Sequence, residues 1–383
     1  MNDRNHSPFS PSLYVHIPLC VRKCPYCGFY SESVADHNPA RLVAALAREV
    51  RQVVSDSQTP TVYVGGGSPT CMPMDLLGRL LYEITRRVRG FEEFTVEANP
   101  GQVDRPILEF LRNIGVSRLS LGGQSFQPEE LRLLGRLHTA EQIVEAVETA
   151  REVGFENIGV DLIFAIPGST MASWRASLQR AIELGVTHIS AYALTYEANT
   201  PLTRDRDAGR IVPIDEETDR QMYELAIDML TDAGYEHYEI SNFARPGFAC
   251  RHNLGYWANR PYYGVGPSAG SHIDRKRCTR IADIRRYIET IENDLDPVAE
   301  RQETTPLEFA CETAVLNLRR IRGIDRAEFR STTGYDVMDL FAGVIADGVD
   351  RGLLDADDTG IRLTRQALPI ADSVLCDFAA LDS

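Results

Sequence analysis

Ser12-Leu-Tyr-Val-His-Ile17-Pro-Leu-Cys20-Val-Arg-Lys-Cys24-Pro-Tyr-Cys27 is the stretch on which the reading turns. A β-branched, apolar run breaks at Pro18 and opens directly into a loop carrying three cysteines. A strand that delivers functional groups at its C-terminal end is the start of an α/β pattern. Three thiolates on one loop can wrap a soft metal centre. Given to a four-iron cube, they leave one iron open to a further ligand. The same residues also fit a zinc site, with His16 as a fourth ligand of uncertain reach, or a disulfide.

Outward from this stretch the chain alternates. Strand-like runs recur at Thr61–Val64, Glu93–Ala98, Arg118–Leu121, Ile158–Ile166 and His188–Leu194. Between and after them, helical periodicity covers Pro39–Val54, Met74–Val88, Asp104–Asn113, Ala140–Val153, Ala172–Leu184 and Glu217–Ala233. Several strands are nearly continuous apolar runs, which suits a parallel sheet covered by helices. Six such units do not fill an eight-stranded barrel. The expected fold is therefore α/β, a partial (β/α)6 barrel over residues 1–234. Tyr235–Gly270 is rich in Gly, Pro, aromatics and His, and opens an irregular connecting region, 235–300. Residues 301–383 read as a helical, winged-helix-like module: Leu307–Arg320, Asp325–Arg330 and Val337–Arg351, then a hairpin-like Leu353–Leu363 and a last helix.

Composition bounds the partners. The net charge is −15 over 383 residues, which repels phosphate backbones and argues against nucleic acid. Asp347, Asp350, Asp355, Asp357 and Asp358 argue the same for the winged module. The basic run Arg275-Lys276-Arg277, with Arg280, Arg285 and Arg286, reads as a solvated helix face. No segment approaches the ~18 apolar residues of a membrane span, so membrane contact is at most peripheral. The polar N-terminus lacks a signal-peptide core. A cytoplasmic location follows by default, where clustered cysteines are thiols or metal ligands.

With Tyr26 before the third cysteine, C-x3-C-x2-C after the first strand resembles the radical-S-adenosylmethionine (SAM) superfamily. The likeness is closer to one branch, the oxygen-independent coproporphyrinogen III dehydrogenases and the related HemW haem chaperones, and covers nearly the whole chain. It implies a [4Fe–4S] cluster on Cys20, Cys24 and Cys27, with SAM on the open iron, cleaved in the superfamily to methionine and a 5′-deoxyadenosyl radical. Gly66, Gly67 and Ser68, in Gly65-Gly-Gly-Ser-Pro-Thr70, match the SAM-ammonium motif. A glycine run lets backbone approach a ligand, and exposed N–H and C=O groups there can grip an amino-acid moiety. Tyr14 matches a tyrosine of the same site, and Glu97 the glutamate facing the nucleoside. Gln124, Arg136 and Asp161 match residues assigned to SAM. Asp161 is informative by itself, because a charge in an apolar strand needs a partner or a ligand; Arg136 is a candidate counter-charge.

Cys250-Arg251-His252-Asn253-Leu-Gly-Tyr256-Trp257 is the last constellation. A neutral imidazole can ligate haem iron, and aromatic rings beside it can cover a porphyrin. The string His-Asn-x-x-Tyr-Trp resembles the signature of the haem-chaperone family. His16, His237 and His272 are rival ligands. Phe29 stands where the dehydrogenases carry a further cysteine, and only about a dozen residues precede the first strand. The favoured function is haem binding and transfer to acceptor apo-proteins such as respiratory cytochromes, with cluster and SAM retained. The alternative is a radical-SAM enzyme acting on coproporphyrinogen III or another porphyrin. His252 is expected on a loop beyond the barrel, reaching haem without opening the core.

Overall fold

The computed structural model describes residues 9–54 and 58–379. Six strands pair in chain order and all in parallel: β1 (Ser12–Ile17), β2 (Thr61–Gly66), β3 (Glu93–Ala98), β4 (Arg118–Gln124), β5 (Asn157–Phe164) and β6 (His188–Ala193). The long helices between and after them are Pro39–Val53, Met74–Arg87, Arg105–Asn113, Ala140–Glu152, Met171–Glu183 and Glu216–Asp232, with short ones at Pro128–Leu133 and Pro201–Asp207. Of the long ones, all but the second begin at a side-chain cap, from Asn38, Asp104, Thr139, Thr170 and Asp215. Such caps satisfy backbone N–H groups that the first helical turn leaves unpaired.

The strands are less uniformly apolar than expected. They alternate with period two. Leu13, Val15, Val62, Val64, Phe94, Val96, Leu119, Leu121, Val160 and Ile189 face the helices and belong to the main apolar core. The intervening residues form a polar set: Tyr14 and His16, Thr61 and Tyr63, Glu93 and Glu97, Arg118 and Ser120, Asp161, His188 and Ser190. Register holds them in step, pairing Tyr14 with Tyr63, Glu97 with Ser120 and Asp161 with Ser190. Tyr14 on β1 and Tyr192 on β6 line one cavity. The sheet therefore curls, and its polar face becomes a lumen.

The segment expected to be irregular adds order. β7 (Glu236–Glu239) and β8 (Asn242–Ala244) extend the sheet antiparallel beyond β6. A helix follows at Arg251–Trp257, and then β9 (Tyr262–Val265) docks parallel to β1 as a seventh parallel strand. Its brevity and mixed composition hid it from a periodicity argument. β10 (Gly270–Ile273), β11 (Lys276–Arg280) and β12 (Val298–Glu303) continue antiparallel. Part of the basic run lies on β11, a strand rather than the expected solvated helix face, and is paired there: Lys276 with Glu303, Arg277 with Glu312 and buried Arg280 with Glu49 at 2.8 Å.

The C-terminal module has helices at Pro306–Leu318, Arg326–Thr333, Val337–Leu340, Ala342–Asp350 and Ala371–Cys376. The hairpin Leu354–Asp357/Gly360–Leu363 gains a third short strand, Ile324–Asp325. The helix expected over Val337–Arg351 is split at Phe341, whose ring packs on Phe378. No helix among the described residues is long and apolar enough to cross a membrane.

Candidate functional site

The cysteine loop leaves β1 at the C-terminal end of the sheet. Cys20, Cys24 and Cys27 are half-buried, and no disulfide joins them. The Cys27 N–H donates to the Cys24 carbonyl at 3.2 Å, closing a turn, and the Leu202 N–H holds the Pro25 carbonyl at 2.9 Å. Tyr26 packs into a small apolar cluster with Leu134, Ile163, Leu194 and Leu202, which anchors the loop to the strand ends. Burial pushes the Cys20 and Cys27 thiols up. Among the described residues no three His, Cys, Asp or Glu side chains converge as ligands of one ion. In a four-iron cube each thiolate binds a different iron, so such convergence is not required.

The glycine run lies against this loop. The Gly67 N–H donates to the Ile17 carbonyl at 2.9 Å, and the Ser68 N–H to the Leu19 carbonyl at 2.7 Å. The Gly66 N–H donates to Glu97 Oε2 at 2.9 Å. All three N–H groups are thus committed within the chain, and an ammonium, which donates, is left the carbonyls. Side chains are excluded here. A Cβ on Gly67 would lie 2.5 Å from the Leu19 carbonyl oxygen, and one on Gly66, at φ +99°, would collide with His16. His16 is no metal ligand in this arrangement. Its Nε2 faces the Tyr30 carbonyl at 3.0 Å and so carries the proton, leaving Nδ1 to accept from the Tyr14 hydroxyl at 2.7 Å.

Glu97 is held by the Tyr63 hydroxyl at 2.7 Å as well as by Gly66. Burial raises its carboxyl, and those two hydrogen bonds oppose the rise. Gln124 sits at φ +66°, beside a register shift in the β4–β5 pairing. This bulge turns its amide toward Gly122, near Arg136. Arg136 donates to the Gly122 carbonyl at 2.7 Å, to Asn99 Oδ1, and to Cys24 Sγ at 3.5 Å. It forms no ion pair with Asp161 among the described residues. Asp161 instead accepts from Ser190 at 2.6 Å and Ser120 at 3.4 Å, and burial raises its carboxyl. The structure therefore brings Tyr14, Gly66, Gly67, Glu97, Gln124 and Arg136 toward the cysteine loop, with Ser68 tied to Asn99 and Gln102 beside them.

His252 is not on an outer loop. The Arg251–Trp257 helix closes the N-terminal end of the lumen, and His252 is only 2% exposed. Glu93, at the start of β3, caps this helix: it accepts from the Arg251 N–H at 2.9 Å and the His252 N–H at 3.1 Å. Thr61 Oγ1 lies 2.7 Å from His252 Nδ1 and donates its own proton to Ser12 at 2.8 Å. Nδ1 is then the protonated nitrogen, and Nε2 keeps its lone pair without a partner. Burial, and Arg118 nearby, lower the His252 pKa to about 3, so the ring is neutral. The ring packs on Tyr63 at 5.2 Å and Tyr256 at 4.7 Å. Tyr14, Tyr63, Glu97, Tyr192, His252 and Tyr256 line one cavity of about 370 Å³, also bounded by Tyr262. Of the rivals, His237 is bonded to the Ile240 carbonyl and stacked on Phe243, whereas both ring nitrogens of His272 lack partners.

Comparison with known proteins gives the family and the fold. A Radical SAM superfamily model matches residues 14–181, and a HemN C-terminal domain model matches 304–370. A heme chaperone HemW from Bacillus subtilis (strain 168) is 32% identical over 96% of this chain and 98% of its own length. The chain belongs to the HemW family. A mitochondrial radical S-adenosyl methionine domain-containing protein 1 of Danio rerio is 30% identical over 95% of this chain and 86% of its own. Among solved structures, the Escherichia coli coproporphyrinogen III oxidase HemN superposes with TM-score 0.86 at 23% identity, covering 98% of this chain and 92% of that one. That match shows a shared radical-SAM fold, sheet and C-terminal module included.

The superfamily implies a [4Fe–4S] cluster and SAM, and this HemW-family chain fits both. It offers three thiols on one anchored loop, and beside them a glycine cradle that any Cβ would fill. Sequence reasoning missed Thr61, Tyr63, Glu93 and Asn99. The first three follow from period two, since each lies an even number of residues before a glycine or glutamate already singled out. Asn99 lies past the end of β3, where strand periodicity no longer applies.

Proposed function

We propose that this chain binds haem through His252 and transfers it to acceptor apo-proteins such as respiratory cytochromes. In this reading Cys20, Cys24 and Cys27 hold a [4Fe–4S] cluster. Tyr14, Gly66, Gly67, Ser68, Glu97, Gln124, Arg136 and Asp161 surround SAM. Bound, the cluster and SAM would supply an electron and a 5′-deoxyadenosyl group. The glycine carbonyls take the ammonium and the Glu97 carboxylate takes nucleoside hydroxyls, while Arg136 sets a positive charge beside Cys24. β1–β6 form the barrel, the connection that follows them bears haem and returns β9 to the barrel, and the helices from Pro306 onward form the closing module. The chemistry suits a reducing compartment, the cytoplasm, where the eight cysteines stay out of disulfides.

The observation that carries the reading is the unpartnered Nε2 of His252, on a neutral ring whose other nitrogen is fixed by Thr61. That is the state an imidazole needs for iron. A porphyrin with its propionates is larger than a cavity of about 370 Å³. Ligation therefore requires the lumen to widen around the His252 ring while Nδ1 stays on Thr61. The test is anaerobic reconstitution followed by parallel assays with haem and coproporphyrinogen III. Stoichiometric haem uptake without turnover of coproporphyrinogen III is expected. Turnover on the order of 1 per second or faster without haem uptake would overturn the reading.

A further inference from the structure

The lumen joins two sites that the sequence presented as separate. Glu97 stands near its cluster end and His252 near its floor, and one side chain touches both. The Tyr63 hydroxyl donates to Glu97 Oε1 at 2.7 Å, and the Tyr63 ring packs at 5.2 Å, tilted 33°, on the His252 imidazole. Tyr14 packs beside this bridge, 6.5 Å from His252 and 6.2 Å from Tyr63, but its own hydroxyl is held by His16. Tyr63 lies within β2, where a parallel partner on each side fixes its backbone. Its side chain therefore has few ways to respond if Glu97 gains a new donor. The hydroxyl must share the carboxylate or turn away, and turning moves the ring against His252.

We infer that Tyr63 is a positioning residue through which occupancy of the Glu97 end of the lumen is read at the His252 imidazole. The inference rests on the reading of Glu97 as a SAM contact and deepens the reading of His252 as the haem ligand. A nucleoside hydroxyl that donates to Glu97 competes with the Tyr63 hydroxyl for Oε1. The displaced ring then alters the packing and field around Nε2. By reciprocity, a ligand on Nε2 changes the affinity for SAM by the same factor. Crowding in the shared cavity is a different origin of coupling. It does not need the hydroxyl, and Tyr63→Phe, which keeps the ring, separates the two.

The experiment uses the reconstituted, oxidised full-length protein labelled with ¹⁵N-histidine, His252→Asn identifying the resonance. Adding SAM is expected to shift the His252 nitrogen signals in the wild type and to leave them within error in Tyr63→Phe. The electron paramagnetic resonance signal of the reduced cluster must still respond to SAM in that variant, which shows that SAM is bound. Should Tyr63→Phe fold poorly, ¹³C-tyrosine labelling of the wild type reads the same link: SAM is expected to move the Tyr63 ring signals, and an unmoved Tyr63 overturns the inference. In parallel, SAM is expected to weaken haem binding by about 5-fold or more in the wild type, the lower range of measured couplings, and by less than about 2-fold in Tyr63→Phe. An unmoved His252 signal in the SAM-bound wild type overturns the inference, and so does equal coupling in wild type and Tyr63→Phe. The nuclear resonance readout contains no haem. A Tyr63-dependent shift in a protein that fails to bind haem would sustain this inference while defeating the haem reading.

Discussion

Gly66→Ala tests the cradle at its tightest point. Gly66 has φ +99°, and a Cβ there would lie closer to His16 Nδ1 than real Cβ atoms approach a neighbour. Two costs add. Placing an L-residue in the left-handed region costs about 1–2 kcal/mol. Displacing the ring breaks the Tyr14–His16 or His16–Tyr30 bond, and leaving such a buried group unpaired costs about 1–3 kcal/mol. The sum is about 2–5 kcal/mol, a large part of an ordinary domain's ~5–15 kcal/mol. Gly168→Ala is the control: its φ is +81°, and nothing lies within 4 Å of its would-be Cβ. It should show the backbone cost alone, about 1–2 kcal/mol. Urea denaturation of both variants measures the difference. Iron content after anaerobic reconstitution should fall in Gly66→Ala, because the His16–Tyr30 bond steadies the far end of the cysteine loop. Equal losses of stability in the two variants would refute the argument.

Cys20→Ala, Cys24→Ala and Cys27→Ala should each abolish iron–sulfur absorbance after reconstitution, whereas Cys376→Ala, at an exposed position, should retain it. Glu93→Ala strips the cap from the Arg251–Trp257 helix and leaves two backbone N–H groups unpaired, at about 1–3 kcal/mol each; a loss of about 2–6 kcal/mol in denaturant titrations is expected. Stability should decline with acid. Burial lowers the His237 pKa from 6.5 to about 4, so the unfolded chain takes up a proton that the folded chain refuses between those values. This contribution is intact above pH 6.5 and is lost as pH falls toward 4, at about 1.4 kcal/mol per unit. His237→Phe should flatten the stability–pH slope by one proton in that window. Phe29 is 70% exposed, so Phe29→Ala should leave the melting temperature unchanged within error.

Much of this was legible before any coordinates. The long strands and helices from Ser12 to Ala233 follow from periodicity and caps, because long amphipathic elements dominate their own local structure; the short helices Pro128–Leu133 and Pro201–Asp207 did not show in the pattern. β9 and the Arg251–Trp257 helix were not legible. Each is short, and each is held by distant partners, β1 and Glu93, that local sequence does not reveal. The same distance hid the place of His252. Its string marked a chemistry, yet only the Thr61 and Glu93 contacts put it at the floor of the lumen. Arg136 and Asp161 invited pairing by charge. The structure resolves each by neutral partners, since Asn99 and two serines lie closer.

The central claim is that His252 is the haem ligand. Its most direct test is an absorption titration of haem into the wild type, Thr61→Val and His252→Ala side by side. The wild type should show a sharp shift that saturates at one haem per chain. Thr61→Val should bind more weakly, because the ring loses its Nδ1 anchor, and His252→Ala should lose the shift. A His252→Ala protein that takes up haem with the wild-type spectrum and affinity would contradict the account.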